Sequence, residues 1–165
     1  VAAMHAIKAH GLERVAIIDF DVHHGNGTED CFAGDDRVLM CSIFQHPFYP
    51  YSGTDKPAAN MCNVPLAAGS GGEEFRDAVL QVWTPRLKEF KPQMILISAG
   101  FDGHYEDDMG GLKLVEKDYA WCTDHLKKLA AEMCDKRIVA MLEGGYVMTS
   151  LARSVGAHLR SLADL

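Results

Sequence analysis

Two carboxylates and an imidazole alternate along one short segment of the chain. Asp19, Asp21 and His23 stand at every second position of the string Asp-Phe-Asp-Val-His-His-Gly-Asn-Gly-Thr. Residues two apart project to the same side of an extended chain. Two neighbouring buried carboxylates repel and titrate upward unless a cation neutralises them. The string therefore favours a divalent metal site, and an imidazole with carboxylate oxygens suits zinc or another transition metal. A solvated turn rich in Asp and His is the alternative.

The elements that would position these groups follow from the hydrophobic pattern. Short apolar runs rich in β-branched residues are typical of strands buried on both faces. They occur at Arg14–Phe20, Arg37–Ile43, Met94–Ala99 and Arg137–Leu142, with a shorter candidate at Met61–Val64. Helical patterns lie at Glu73–Phe90 (interrupted at Pro85), Glu116–Cys134 and Thr149–Leu162, and one more ends at Gly11. The alternation predicts an α/β fold with three layers, helix, sheet and helix, around a mostly parallel sheet. The stretch from Gln45 to Asn60 is predicted to be a long loop, and such loops are usually functional or disordered.

Other polar clusters also stand where a predicted strand ends. Ser42 lies at the end of the second run, Gly-Phe-Asp102 follows the Met94 run, and Glu-Gly-Gly-Tyr146 follows the last run. Open α/β sheets bind ligands at the carboxyl ends of their strands. We therefore expect these groups to converge with Asp21 and His23 at one edge of the sheet.

Composition limits the classes of protein that fit. A chain of 165 residues with 48% apolar residues builds one core, so 1–165 is predicted to be a single domain. The net charge of −7 argues against direct nucleic-acid binding, which needs a basic face. Five widely spaced cysteines favour a reduced protein of the cytoplasm, or of the nucleus in a eukaryote. No apolar run is long enough for a membrane span. A homo-oligomer is compatible with the sequence.

Four ordered motifs carry a family resemblance. They are the ten-residue string from Asp19, Phe-Tyr49-Pro before a Gly-Thr, Ser-Ala-Gly-Phe-Asp102 and Leu-Glu-Gly-Gly-Tyr146. Together they resemble the histone deacetylase and acetylpolyamine amidohydrolase family, whose fold is arginase-like. The resemblance implies zinc held by Asp21, His23 and Asp102, and a catalytic Tyr146 whose hydroxyl assists the reacting carbonyl. It implies hydrolysis of an acetylated lysine or polyamine with release of acetate.

The resemblance assigns further residues around the zinc. Asp19 and Ser42, with the carbonyls of Asp21 and His23, match a site for K⁺ or Na⁺. Tyr49, Gly144 and Gly145 match the wall of a substrate tunnel. On turn chemistry alone, Gly-Phe-Asp102-Gly is as well explained by an ordinary turn. Tyr49 and Tyr146 are also explained as aromatic residues that pack a loop against the core.

One part of the family's active site has no counterpart in the chain. In the family a tandem histidine pair, held by residues that match Asp19 and Asn26, handles the proton transfers, but no such pair precedes Asp19. We therefore expect the chain to be the C-terminal portion of a longer catalytic domain, inactive by itself. The alternatives are a non-catalytic module that binds metal and acyl-lysine, and an arginase-like hydrolase whose second set of metal ligands is not found. Asn26 and Glu143 favour the class II or bacterial branch of the family.

Overall fold

The computed structural model describes residues 1–165 as alternating strands and helices. The five strands are β1 (Val15–Asp19), β2 (Val38–Gln45), β3 (Met61–Leu66), β4 (Met94–Ala99) and β5 (Ile138–Leu142). The six α-helices are α1 (Ala2–His10), α2 (Asn26–Phe32), α3 (Gly72–Asp77), α4 (Thr84–Phe90), α5 (Glu116–Met133) and α6 (Met148–Ala163). The predicted α/β class and all five predicted strands are confirmed.

The strands form one sheet in the order β3-β2-β1-β4-β5, and all four pairings are parallel. The chain passes outward from β1 to β3 on one side and then returns to place β4 against the other side of β1. Asp19, the last residue of β1, is in register with Ser42 of β2 and Ser98 of β4. The direction of the sheet order therefore reverses between β1 and β4, close to the polar groups that end these strands.

Two apolar clusters cover opposite faces of the sheet. Ala16 and Ile18 of β1 belong to a cluster of 26 buried residues, which α3 to α5 complete. Val15 and Ile17, the alternate residues, belong to a smaller cluster of 9 buried residues with α1 and α2. Because successive side chains of a strand face opposite sides, this division confirms the predicted layers of helix, sheet and helix. None of the helices combines the length and the apolar character that a membrane span requires.

Strand β5 is the exception to the expectation of strands buried on both faces. Every residue of β1 and β2 is buried, whereas Val139, Met141 and Leu142 of β5 are 42%, 38% and 60% exposed. β5 is an edge strand, so it has a hydrogen-bonded neighbour on one side only. The opposite edge strand, β3, contains Pro65, which cannot donate to a further strand. Of the two edge strands, β5 is therefore the one that exposes large apolar side chains.

Two local features differ from the sequence-based expectations. The helical segment from 72 to 90 does not break at Pro85; it widens into a π-helical turn over Ala78–Trp83, directly before α4. Because proline has no N–H and crowds the preceding turn, widening that turn lets the chain remain helical. No helix was predicted between β1 and β2, but α2 lies there, with Asn26 and Gly27 in its first turn. The expected loop between β2 and β3 is present.

Candidate active site

The metal-ligand candidates flank the point where the sheet order reverses. Asp21 and His23 leave the carboxyl end of β1, and Asp102 follows β4, the neighbouring strand. In open parallel sheets this position forms a crevice at the carboxyl ends of the strands. The topology therefore brings together two motifs that are about 80 residues apart in the chain.

Asp21, His23 and Asp102 form one compact group. Each offers a ligand atom, and these atoms all lie within 4.8 Å of one another. His23 Nδ1 is 3.0 Å from Asp21 Oδ1 and 3.3 Å from Asp102 Oδ2. Asp102 Oδ1 accepts a hydrogen bond from the Val22 N–H at 2.9 Å. The other carboxylate oxygen, Oδ2, is buried without a hydrogen-bond partner. A buried carboxylate oxygen without a donor is the observation that a bound cation would explain.

Burial makes the electrostatics of this group unfavourable for free carboxylates. Desolvation, with the neighbouring negative charge of Asp21, raises the pKa of Asp102 to about 7. Desolvation also raises the pKa of Asp19 well above its usual range, and the charges of Asp21, Glu143 and Asp102 add to the increase. Either protons or a cation must compensate the crowding of negative charge. Oxygen and imidazole ligands at such a site fit zinc and other divalent transition metals.

The residues around this group are placed as follows. Asp19 and Ser42 are both buried; Asp19 Oδ1 accepts the Asp21 N–H at 3.1 Å, and Ser42 Oγ donates to the Ile43 carbonyl at 3.4 Å. His24 is not part of the group, and its Nε2 lies 3.0 Å from Glu29 Oε2. The side chain of Asn26 is exposed to solvent at the start of α2.

The glycines of the site leave no room for side chains. A Cβ atom at Gly144 would lie 2.0 Å from Asp102 Oδ2 and 2.6 Å from Asp21 Oδ2. The N–H of Gly144 donates to Asp21 Oδ2 at 2.9 Å, and its carbonyl accepts the Phe101 N–H at 2.8 Å. Gly145 has φ of 138°, which favours glycine, and a Cβ there would meet Leu151 at 2.6 Å. The Gly-Gly pair thus lets the loop after β5 approach both carboxylates.

A pocket of about 460 Å³ opens beside His23. His23, Phe48, Tyr49, Met109 and Tyr146 line it. Phe48 stacks on the His23 ring at 5.4 Å, and Tyr49 meets that ring edge-on at 6.1 Å. Tyr49 and Tyr146 are 66% and 52% exposed, so neither is packed into the core, which was the alternative for both. Burial and the charges of Asp102, Asp21 and Asp107 raise the pKa of Tyr146, which favours the protonated phenol.

Some residues of this region carry no catalytic signal in the sequence. Phe48 belongs to the Phe-Tyr49-Pro motif, but the motif does not predict that Phe48 lies closer to the His23 ring than Tyr49 does. Met109 and Asp107 lie in the loop after β4, and the three-dimensional course of that loop alone brings them to the pocket and to the Tyr146 segment. Their types and spacing would not have identified them.

Comparison with known proteins assigns the chain to a family. The model of the histone deacetylase domain matches residues 1–162. The chain is 40% identical over 168 residues to histone deacetylase 14, chloroplastic, of Arabidopsis thaliana, and 43% identical over 142 residues to a probable deacetylase of Archaeoglobus fulgidus. These alignments cover 98% and 82% of this chain. The crystal structure of the HDA15 HD domain superposes with a TM-score of 0.90 at 32% identity over 99% of this chain. The chain belongs to the histone deacetylase family.

The matched region is only part of each of these proteins. The chain spans 40% of the length of the Arabidopsis protein, 40% of the Archaeoglobus protein and 48% of the HDA15 chain. Against a type-2 histone deacetylase of Dictyostelium discoideum, it spans 11% at 39% identity. The family assignment therefore applies to the residues of this chain.

Proposed function

We propose that this chain supplies the metal-binding and substrate-facing part of a zinc-dependent deacetylase that hydrolyses an N-acetyl amide to acetate and a free amine. The observation that supports it most directly is the convergence of Asp21, His23 and Asp102 in one group, whose member His23 lines a pocket together with Tyr146. Three protein ligands with room for a fourth are typical of catalytic zinc sites.

The metal's place in this proposal rests on the ligand set. Asp21, His23 and Asp102 would hold the ion, and the unpartnered Asp102 Oδ2 fits a ligand atom. A bound zinc ion would polarise the amide carbonyl and lower the pKa of a bound water. Asp19 and Ser42 are proposed to hold K⁺ or Na⁺ nearby, since the buried Asp19 carboxylate has no cationic side chain beside it.

Tyr146 is the proposed donor to the reacting oxygen. Its phenol remains protonated at neutral pH, and its side chain lines the same pocket as His23. When water adds to the amide carbon, negative charge develops on the carbonyl oxygen, and a phenol O–H can donate to it. Such a donor is worth about 2.7–4 kcal/mol when it is placed for the transition state.

The pocket walls suit a neutral acylated amine. Phe48, Tyr49 and Met109 are apolar or aromatic and frame the approach to His23. Acetylation removes the positive charge of a lysine or polyamine nitrogen, so the acylated arm can enter such a pocket without losing the hydration of a cation. The proposed substrates are therefore acetylated lysine in proteins or an acetylated polyamine.

Release of the amine also requires a proton at the leaving nitrogen, which is the task of a general acid. The chain has no tandem histidine pair ahead of Asp19, and His23 belongs to the metal group. We propose that sequence outside this chain supplies the acid. A non-catalytic relative that binds acyl-lysine through the same metal is the outcome to be distinguished by experiment.

The test compares metal content and acetate release in the protein at its full encoded length. Asp21→Asn, His23→Ala and Asp102→Asn should each lower bound zinc and abolish acetate release from acetyl-lysine peptides and acetylated polyamines. Asp108→Asn is the matched control, because Asp108 is exposed in the same loop region as Asp102. Zinc content unchanged in all three variants would contradict the ligand assignment. Normal zinc and peptide binding without acetate release would instead identify the non-catalytic relative.

A further inference from the structure

Asp107 is a buried carboxylate that the metal group does not include. Its relative exposure is 4%, and no Lys, Arg or His side chain forms an ion pair with it. Buried charges are normally paired or neutralised. Here the carboxylate is held by backbone N–H groups from two separate loops.

The hydrogen bonds of Asp107 connect both sides of the pocket. Oδ2 accepts the N–H of Tyr146 at 2.7 Å and the N–H of Val147 at 3.2 Å. Oδ1 accepts the N–H of Met109 at 3.0 Å. Met109 and Tyr146 are two of the five residues that line the pocket beside His23. One carboxylate thus fixes the backbone under two of the pocket's side chains.

The position of Asp107 favours an anionic anchor. Helix α6 begins at Met148, so the Tyr146 and Val147 N–H groups lie at its N-terminal end. Val147, the residue before the helix, has no side-chain capping bond of its own. Helix N-termini carry unsatisfied N–H groups and a partial positive charge, which a carboxylate stabilises.

The segment before this anchor would otherwise have conformational freedom. Gly144 and Gly145 precede Tyr146, and Gly145 adopts φ of 138°. Glycine reaches many backbone conformations, so the direction of the Tyr146 side chain depends on what fixes the backbone after the Gly-Gly pair. The Asp107 carboxylate does this at the Tyr146 N–H itself.

We propose that Asp107 is a positioning residue that holds the Tyr146 hydroxyl where it can donate to the reacting oxygen and that sets the separation of Met109 and Tyr146. The inference rests on the proposed deacetylase function. Displacing a reacting group by about 1 Å can cost about a hundredfold in rate. Asp107→Asn keeps one acceptor oxygen but loses the charge, so it should lower kcat by about tenfold. Asp107→Ala, which removes both oxygens, should approach the loss of about 10²–10³-fold typical of a missing oxyanion donor.

The test uses the zinc-loaded protein at its full encoded length, with Asp108→Asn as the control for loss of a nearby exposed charge. Wild-type turnover of an acetyl-lysine peptide first establishes the proposed function; its absence contradicts that function, whatever Asp107 does. The Asp107 changes are then made with Tyr146 present and in the Tyr146→Phe background. We expect kcat to fall only when Tyr146 is present, with KM and zinc content within about threefold of wild type.

Amide hydrogen exchange provides a readout that does not need turnover. Asp107→Asn should accelerate exchange at Tyr146 and Val147 by at least about tenfold, while strands β1 and β4 exchange as in wild type. Unchanged exchange at these two amides, or an equal loss of kcat in the Tyr146→Phe background, would overturn the positioning role. Faster exchange throughout β1 and β4 would show a general structural role and would equally contradict the proposal.

Discussion

Substitution of Gly144 by alanine is the most direct test of how the site is packed. The backbone of Gly144 is outside the positive-φ region, so alanine brings no backbone strain there. The added Cβ would lie 2.0 Å from Asp102 Oδ2, while ordinary contact begins at 3.4 Å. The carboxylate would therefore have to move by roughly 1.4 Å, or the loop after β5 would have to retreat by a similar distance.

Either movement separates groups that the proposed metal site needs together. Because Asp102 also accepts the Val22 N–H, moving it breaks a buried hydrogen bond as well. Overpacking of this kind typically costs about 1–3 kcal/mol of folding stability. A misplacement of about 1 Å near the reacting groups costs about a hundredfold in rate. We expect Gly144→Ala to lose at least that much kcat and to bind zinc at least tenfold more weakly.

The assay is zinc affinity by competition with a chromogenic chelator, together with acetate release and thermal unfolding of the metal-free protein. Gly27→Ala is the control: Gly27 lies in α2, and its Cβ would meet nothing within 4 Å. If Gly144→Ala matched Gly27→Ala in zinc affinity and turnover, the close approach of the loop to both carboxylates would be irrelevant to function. If the metal-free Gly144→Ala variant unfolded at room temperature, Asp102→Asn would test the same ligand without added volume.

Three further outcomes are expected. Tyr146→Phe should lower kcat by about 10²–10³-fold with little change in KM, because a donor to the developing oxyanion acts in the transition state; steady-state kinetics measure it. Removal of zinc with a chelator should lower the midpoint of thermal unfolding, since a ligand at a hundred times its Kd stabilises by about 2.7 kcal/mol, and Asp21→Ala should abolish that response. The proposal that sequence outside this chain supplies the general acid predicts that the 165-residue chain alone hydrolyses acetyl-lysine peptide about 10²–10⁴-fold more slowly than the protein at its full encoded length.

The strands and the identity of the metal candidates could be predicted because their signals are local. Buried parallel strands need apolar, β-branched runs, and β1 and β2 show such runs and are buried throughout. The ordering of polar clusters at strand ends also predicted that Asp21 and Asp102 would converge. The apolar runs could not reveal the position of each strand within the sheet. The Arg137–Leu142 run resembles the others, but β5 is an exposed edge strand. Which strands neighbour one another depends on the path of the whole chain.

The contacts that organise the site could not be predicted from local sequence patterns. The importance of Gly25 is that it has no Cβ beside Asp19, since a Cβ there would lie 2.5 Å from Asp19 Oδ2. Asp107 is one acid among several in an acidic loop, and its hydrogen bonds to Tyr146 and Val147 depend on the placement of α6 against that loop. Both features depend on distances between elements remote in sequence, which composition and periodicity do not encode.

The carboxylates of the site accept hydrogen bonds from the backbone of neighbouring loops, and these bonds make the site a single unit. Asp102 Oδ1 accepts the Val22 N–H, so the loop after β4 is tied to the loop after β1. Asp21 Oδ2 accepts the Gly144 N–H, so the loop after β1 is tied to the loop after β5. Residues that share a hydrogen-bond network do not contribute additively. Loss of Asp21 should therefore disturb the Tyr146 segment as well as the metal, and the combined change Asp21→Asn with Tyr146→Phe should cost much less than the sum of the two single changes.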